Sequence, residues 1–176
     1  MGIFDELWDS RNDEPISDAA ILPFINSIQV SKERLFIKTV LYSGVNPSSL
    51  SELRWSDIDF RASSILLYNR RKKRMYAAYL PSKLIQEYKQ LKLENGQLVF
   101  GYSEYLLKNM LDNWTKQFFG KPKTWHAIRL TYLLNARKAG ERFEVVATNM
   151  GVNPDALLKY WSPSPTDMRR SAELIR

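Results

Sequence analysis

Two side chains in the second half of the sequence have the types and spacing needed to hold a phosphate group. His126 and Arg129 stand three residues apart in the segment WHAIRLTYLLNARKAG, which has the pattern of a helix. Residues three apart share one helix face, so both side chains can reach one anion. The alternative is a structural role, in which His126 forms hydrogen bonds at the helix start and Arg129 is a solvated surface charge. The pair alone does not decide between them.

A run of five basic residues forms a second group with possible chemistry. The flanking segments, SSILLYN and MYAAYLP, are typical of strands and predict a hairpin with the run at its tip. Five like charges in a row repel one another without an anion, which favours phosphate contact over a solvated loop. We call this run the basic tip: Arg70, Arg71, Lys72, Lys73 and Arg74.

Helices are predicted to supply most of the framework around these groups. Apolar residues recur at helical spacing, and the dipeptide Asn46-Pro47 is an N-cap followed by a first-turn proline. The predicted fold class is therefore α+β, mainly α-helical, with a small antiparallel hairpin. The predicted helices cover about 31–43, 47–55, 82–94, 103–119, 124–140, 142–151, 153–161 and 166–176.

Length and composition indicate one domain that binds a polyanion. Residues 1–20 are polar and predict a flexible N-terminal arm, and 21–176 predict a single domain. Lysine and arginine outnumber aspartate and glutamate by 26 to 19, and the net charge is +7. Nucleic acid is the first candidate for a partner, although an acidic protein surface or an anionic lipid would match the same charge. The candidate contacts are the basic tip together with Lys121 and Lys123.

Other classes of protein fit the sequence poorly. The absence of cysteine excludes disulfides, thiolate nucleophiles and cysteine-based zinc sites. The acidic start is unlike a signal peptide, and no segment approaches the roughly 20 apolar residues of a membrane span. We therefore expect a cytoplasmic, nucleoid-associated protein without a membrane partner.

Two segments resemble the signature boxes of the tyrosine recombinases, the phage-type integrases. The first signature segment, LYSGVNPSSLSELRWSDIDF, keeps the positions Gly44, Leu50, Leu53, Arg54, Trp55, Asp57 and Ile58. The second, HAIRLTYLLNARKAGERFEVVATNMG, keeps His126, Arg129, Thr131, Ala139, Gly140 and Gly151. The family carries a basic hairpin between its boxes, as this sequence does. The resemblance implies the fold of the recombinase catalytic domain, without the separate N-terminal core-binding domain.

The resemblance also implies a reaction. In the family a tyrosine attacks a DNA phosphodiester and forms a 3′-phosphotyrosyl link, with cations around the phosphate and no metal or cofactor. On this sequence His126 and Arg129 match the family's phosphate ligands. The catalytic lysine falls among residues 70–73. Tyr160 is the candidate nucleophile, with core packing as its alternative role.

Several catalytic positions depart from the family pattern. The first catalytic arginine is replaced by Asn46, and two histidine positions are Leu130 and Val152. The sequence therefore predicts a duplex DNA-binding, integrase-like domain of a mobile element whose strand cleavage is lost or weakened. It also allows a homo-oligomer on DNA. The alternatives are an active divergent recombinase that uses Tyr160 and, with least support, a non-DNA interaction module on the same scaffold.

Overall fold

The computed structural model describes residues 14–91 and 97–161, together with 169, 172 and 173. The fold is mainly α-helical with one small antiparallel sheet, which confirms the predicted class. Most of the predicted C-terminal helix, and residues 1–13 of the predicted arm, lie outside the described residues. The helices are α1 Asp18–Ser27, α2 Ser31–Ser43, α3 Pro47–Ser51, α4 Ser82–Leu91, α5 Glu104–Phe119, α6 Trp125–Lys138, α7 Phe143–Met150 and α8 Leu158–Trp161. Short 3-10 helices span Trp55–Asp57 and Pro154–Leu157.

The beginning of the domain differs from the prediction. The side chain of Ile16 is 3% exposed, and its backbone N–H donates a hydrogen bond of 2.9 Å to Oγ1 of Thr131 in α6. Helix α1 begins at Asp18, although it carries Pro23 in its interior. Residues 14–20 are thus part of the folded domain, which does not begin near Ile21 as predicted.

The main core forms around α2, which contacts α1, α4 and α6. Phe36 of α2 makes edge contacts with three aromatic rings, including that of Trp125 at the start of α6. Thr39 makes a buried hydrogen bond of 2.6 Å with the hydroxyl of Tyr88 in α4. This packing fixes α2, whose last three residues begin the first signature segment, against α6, which contains the start of the second.

The sheet has three strands in the order β1-β2-β3, where β1 is Ile58–Asp59, β2 is Ser64–Asn69 and β3 is Arg74–Tyr79. The pairing of β2 with β3 confirms the predicted hairpin, and β1 was not predicted. Leu67 of β2 is buried and stands opposite Tyr76 of β3. Side chains alternate between the faces of a strand, so Tyr76 shares the inward face of β3 with buried Ala78.

The elements after α6 surround a second, smaller core cluster. It contains Leu133, Val146, Ala147, Met150 and Leu157. The segment predicted as one helix over 153–161 is a 3-10 helix followed by the short α8. Across the described part of the chain, no helix combines the length and apolar character that crossing a membrane requires.

Candidate functional site

The two signature segments meet at the turn that follows α2. Gly44 ends this helix with a φ of 67°, a left-handed conformation that favours glycine. A Cβ atom here would overlap the ring of Tyr132 and lie 2.8 Å from Cγ of Met150. The second signature segment therefore packs directly on the Gly44 backbone.

Arg129 joins the two segments at this point. It is 4% exposed, and its Nε donates a hydrogen bond of 2.7 Å to the carbonyl oxygen of Gly44. Burial lowers the pKa of Arg129 to about 10, and interaction with Tyr76 partly offsets this effect. The guanidinium therefore keeps its charge at neutral pH. The interpretation of Arg129 as a solvated surface charge is wrong.

Asn46 stands where the resemblance puts the first catalytic arginine. Its Oδ1 accepts hydrogen bonds from the backbone N–H groups of Ser48, at 2.8 Å, and Ser49, at 3.4 Å. Pro47 follows as the first residue of α3. This confirms the predicted capping role of Asn46. A neutral amide in a helix cap lacks the charge and the two-pronged grip of a guanidinium.

Tyr76 of β3 adjoins the same groups, and its place in this site was not predicted from the sequence. A Cβ atom on Gly151 would lie 2.7 Å from Cε1 and Cε2 of the Tyr76 ring. Burial raises the pKa of Tyr76 to about 12, although the charge of Arg129 and a hydrogen bond with the Asn46 backbone lower it. The phenol is therefore neutral at neutral pH. We call Asn46, Tyr76, Arg129 and Gly151 the Tyr76 cluster.

Side-chain amides hold the hairpin against α7 and the end of α2. Nδ2 of Asn69 donates a hydrogen bond of 2.7 Å to the carbonyl oxygen of Gly151. Oδ1 of Asn149 accepts from the backbone N–H of Tyr79 at 2.6 Å, and its Nδ2 donates to the carbonyl oxygens of Tyr79 and Ser43, both at 3.3 Å. These bonds fix β3, and with it Tyr76, relative to both signature segments.

The basic tip is exposed along its whole length. Arg70 forms an ion pair with Glu52 and has a second carboxylate, that of Glu104, 4.0 Å from Nη1. Desolvation and then the charges of two neighbouring arginines lower the pKa of Lys72. The second of these effects, from Arg74 and Arg71, is the mutual repulsion that the sequence predicts. The residues after Arg70 thus present positive charge to solvent.

The two lysines that follow α5 differ in their environment. Lys121 is exposed. Lys123 is 6% exposed, its Nζ donates a hydrogen bond of 2.8 Å to the carbonyl oxygen of Glu14, and the same atom lies 5.2 Å from the centroid of the Phe119 ring. Because this ammonium group is buried in the domain, Lys123 is not available for the predicted DNA contact.

His126 lies in the first turn of α6 and is half-buried. Thr124 caps this helix, since its Oγ1 accepts a hydrogen bond of 3.3 Å from the N–H of Ala127. His126 and Arg129 thus occupy neighbouring turns of one helix whose start is fixed, as the sequence predicted. A phosphate-binding role for His126 stays a prediction.

Tyr160 lies on α8 and packs, half-buried, against the second core cluster. Burial raises the pKa of its phenol, the opposite of what activates a nucleophile. Nε1 of the adjacent Trp161 donates to the carbonyl oxygen of Glu141 at 2.9 Å. The packing role of Tyr160 is therefore confirmed, and a catalytic role remains a proposal.

Leu130 and Val152, at the positions of two family histidines, pack against the same second cluster. Their apolar side chains supply no hydrogen bond to a phosphate. At these two positions the chain contributes packing instead of polar contacts.

Solved structures of recombinases share this arrangement of elements. A structure of the Tn1549 transposon integrase in complex with a circular intermediate DNA matches with a TM-score of 0.80 and 18% identity, over 99% of this chain and 70% of that chain. XerA recombinase matches with a TM-score of 0.71 and 16% identity, over 92% and 65%. The catalytic domain of bacteriophage HP1 integrase matches with a TM-score of 0.70 and 15% identity, over 93% and 96%. The chain has the fold of a tyrosine recombinase catalytic domain.

The tyrosine recombinase fold is thus reached at very low sequence identity. No protein-family model matches the sequence, and no curated protein does so either. The chain spans 65% of the length of XerA recombinase and nearly all of the HP1 catalytic domain. The resemblance stated from the two signature segments is confirmed as a likeness of fold.

Proposed function

We propose that the chain binds duplex DNA through its tyrosine recombinase fold and that it cleaves DNA weakly or not at all. The observation that carries this proposal is the Asn46 cap: the residue at the first arginine position is neutral, and its side chain is already bonded to α3. One phosphate ligand of the reaction is therefore missing.

The DNA-binding half of the proposal rests on charge. The net charge is +7, and the basic tip is exposed at the end of the hairpin that carries Tyr76. Two neighbours in fold, the Tn1549 transposon integrase and XerH recombinase, have structures bound to DNA. Lysine and arginine side chains bind duplex DNA mainly by neutralising phosphates and releasing counterions.

The proposed loss of strand cleavage rests on several missing catalytic groups whose effects act together. Removal of one preorganised donor typically slows catalysis by about 100- to 1000-fold. Replacement of a charged bidentate group by Asn46 should cost at least as much, and Leu130 and Val152 add two lost donors. Such effects compound, although not additively.

The second candidate function is an active, divergent recombinase. Arg129 favours it, because a buried guanidinium that remains charged can still hold a phosphate oxygen. In this case Tyr160 attacks the phosphorus, the 5′-oxygen leaves with a proton, and an arginine from elsewhere or from a partner protomer replaces Asn46. Both candidate functions are compatible with three further proposals: a homo-oligomer on DNA, association with the nucleoid and an origin in a mobile element. An interaction module without DNA has the least support.

A covalent-adduct assay separates the two candidates. The purified chain is incubated with a pool of nicked duplexes whose central sequence is randomised, so that no target sequence needs to be assumed. Denaturing gels then show whether protein remains attached to DNA. We expect no adduct from the natural chain, with Tyr160→Phe as the matched control. An adduct that forms with the natural chain and disappears in Tyr160→Phe would show an active recombinase.

A further inference from the structure

We propose that Tyr76 blocks the anion site beside Arg129, because its ring and hydroxyl fill the space between the Asn46 turn and the Gly151 turn that a phosphate would need. This inference rests on the proposed function, for which it supplies a second physical cause. Asn46 removes a ligand of the phosphate, and Tyr76 removes the room for it.

Contacts on three sides define the position of Tyr76. Its ring packs on Gly151 so closely that a Cβ there would lie 2.7 Å from Cε1 and Cε2. The Asn46 backbone and the charge of Arg129 both lower the pKa of the phenol, which puts the hydroxyl near these two groups. The side chain thus crosses from the second signature segment to the first.

The groups around the Tyr76 oxygen are those that bind an anion. The first is the Asn46 backbone, which lowers the pKa of the phenol and so favours its charged form. The second group is the guanidinium of Arg129, which is 4% exposed. A buried cation is costly unless an anion accompanies it, and a neutral phenol does not supply that charge. The Tyr76 oxygen therefore stands where an anionic oxygen would be favourable.

The hairpin holds Tyr76 in this place. Withdrawal of the β2–β3 hairpin would break the bond from Asn69 of β2 to the Gly151 carbonyl and both bonds between Asn149 and the backbone of Tyr79 in β3. The binding free energy of an anion that displaced Tyr76 would have to offset the loss of these hydrogen bonds. The block therefore belongs to the resting structure of the chain and does not depend on a partner.

Thermal unfolding of the full chain with inorganic phosphate tests the block without DNA. The informative variant is Tyr76→Leu, which keeps an apolar residue on the inward face and removes the distal ring and hydroxyl. Tyr76→Phe keeps the ring and removes only the oxygen. Tyr79→Ala, whose side chain is 63% exposed on the same strand, is the matched control for loss of a tyrosine. All samples are compared with chloride at equal ionic strength, since phosphate also stabilises proteins by exclusion from their surface.

We expect phosphate to stabilise Tyr76→Leu selectively. At a phosphate concentration roughly tenfold above Kd, Tm should rise by about 3 to 6 °C for Tyr76→Leu, and the other three proteins should show no rise beyond the chloride samples. If Tyr76→Leu does not fold, Tyr76→Met, with a longer apolar side chain, takes its place. An equal rise in the natural chain would show an open site, and no rise in either shortened variant would show that no anion site exists. Either result overturns the block.

Failure of the block and failure of the proposed function give different results. Failure of the phosphate effect together with salt-dependent DNA binding and no adduct would remove the block alone. A Tyr160-dependent adduct formed by the natural chain would instead remove the proposed loss of cleavage.

Discussion

We predict how much the basic tip contributes to the salt dependence of DNA binding. The perturbation replaces four residues together by alanine: Arg70, Arg71, Lys72 and Lys73. Each neutralised phosphate contributes about −0.9 to the slope of log affinity against log salt concentration. Arg70 already has two glutamates as partners, so its release of counterions should be small. The three remaining residues predict a flattening of the slope by about 2.7.

The assay is fluorescence anisotropy of a labelled duplex between about 50 and 200 mM salt, a range over which such slopes are well resolved. A general loss of charge could also weaken binding, so the control must lose the same charge elsewhere. Four exposed lysines on α4 and α5 serve this purpose and are replaced together by alanine: Lys83, Lys89, Lys108 and Lys116.

The change in the salt slope distinguishes direct phosphate contact by the basic tip from a general effect of net charge. If the tip binds phosphates, the tip variant flattens the slope strongly and the control variant changes it little. If both variants flatten it equally, only net charge matters. An unchanged slope in the tip variant would refute the reasoning, because it would mean that the tip releases no counterions and lies off the binding surface.

The remaining predictions concern Asn46 and the glycine turn. Asn46→Arg alone should form no adduct with the randomised duplexes. Asn46→Arg combined with Tyr76→Leu should form an adduct that requires Tyr160, at a rate still lowered by the two donors missing at Leu130 and Val152. An adduct from Asn46→Arg alone would count against the Tyr76 block. Asn46→Ala should lower stability by about 1 kcal/mol through loss of the α3 cap, and thermal unfolding should show a Tm lower by about 2 to 4 °C. Gly44→Ala should cost about 2 to 5 kcal/mol in a denaturant titration, because a left-handed backbone and a steric clash add. Gly120→Ala, with a similar φ of 76° and open space around the Cβ, should cost only about 1 to 2 kcal/mol, and equal losses would refute the clash.

Local signals in the sequence were sufficient for much of the fold. Asn46 and Thr124 cap their helices as predicted, because a short polar side chain before a helix satisfies backbone N–H groups wherever it occurs. The hairpin followed in the same way from two strand-forming runs and a charged turn. These elements depend on neighbours in sequence, which a single chain displays directly.

Contacts between distant residues were not predictable in the same way. Lys123 counted as an exposed positive charge in the sequence, yet it lies buried against the Glu14 carbonyl, which is far away in the chain. Residues 14–20 read as a polar arm, although Ile16 enters the core beside Thr131. Polarity alone does not reveal which backbone a side chain will meet.

The same difference between local signals and long-range contacts applies to the candidate site. The alternation of side chains in β3 indicates that Tyr76 points inward with Ala78. No pattern in the sequence identifies Asn46 and Arg129 as the groups that it meets. The hydrogen bonds of Asn149 were equally unpredictable, because no sequence pattern indicates which groups an amide within a helix will contact.

Asn149 also affects how the sheet meets other molecules. β3 is an outer strand of the sheet, and such a strand offers unpaired backbone groups on which a strand of another chain can add. The amide of Asn149 occupies both the N–H and the carbonyl oxygen of Tyr79, much as the backbone of a neighbouring strand would. One side chain thereby occupies the end of this open sheet edge, where a strand of another chain could otherwise pair.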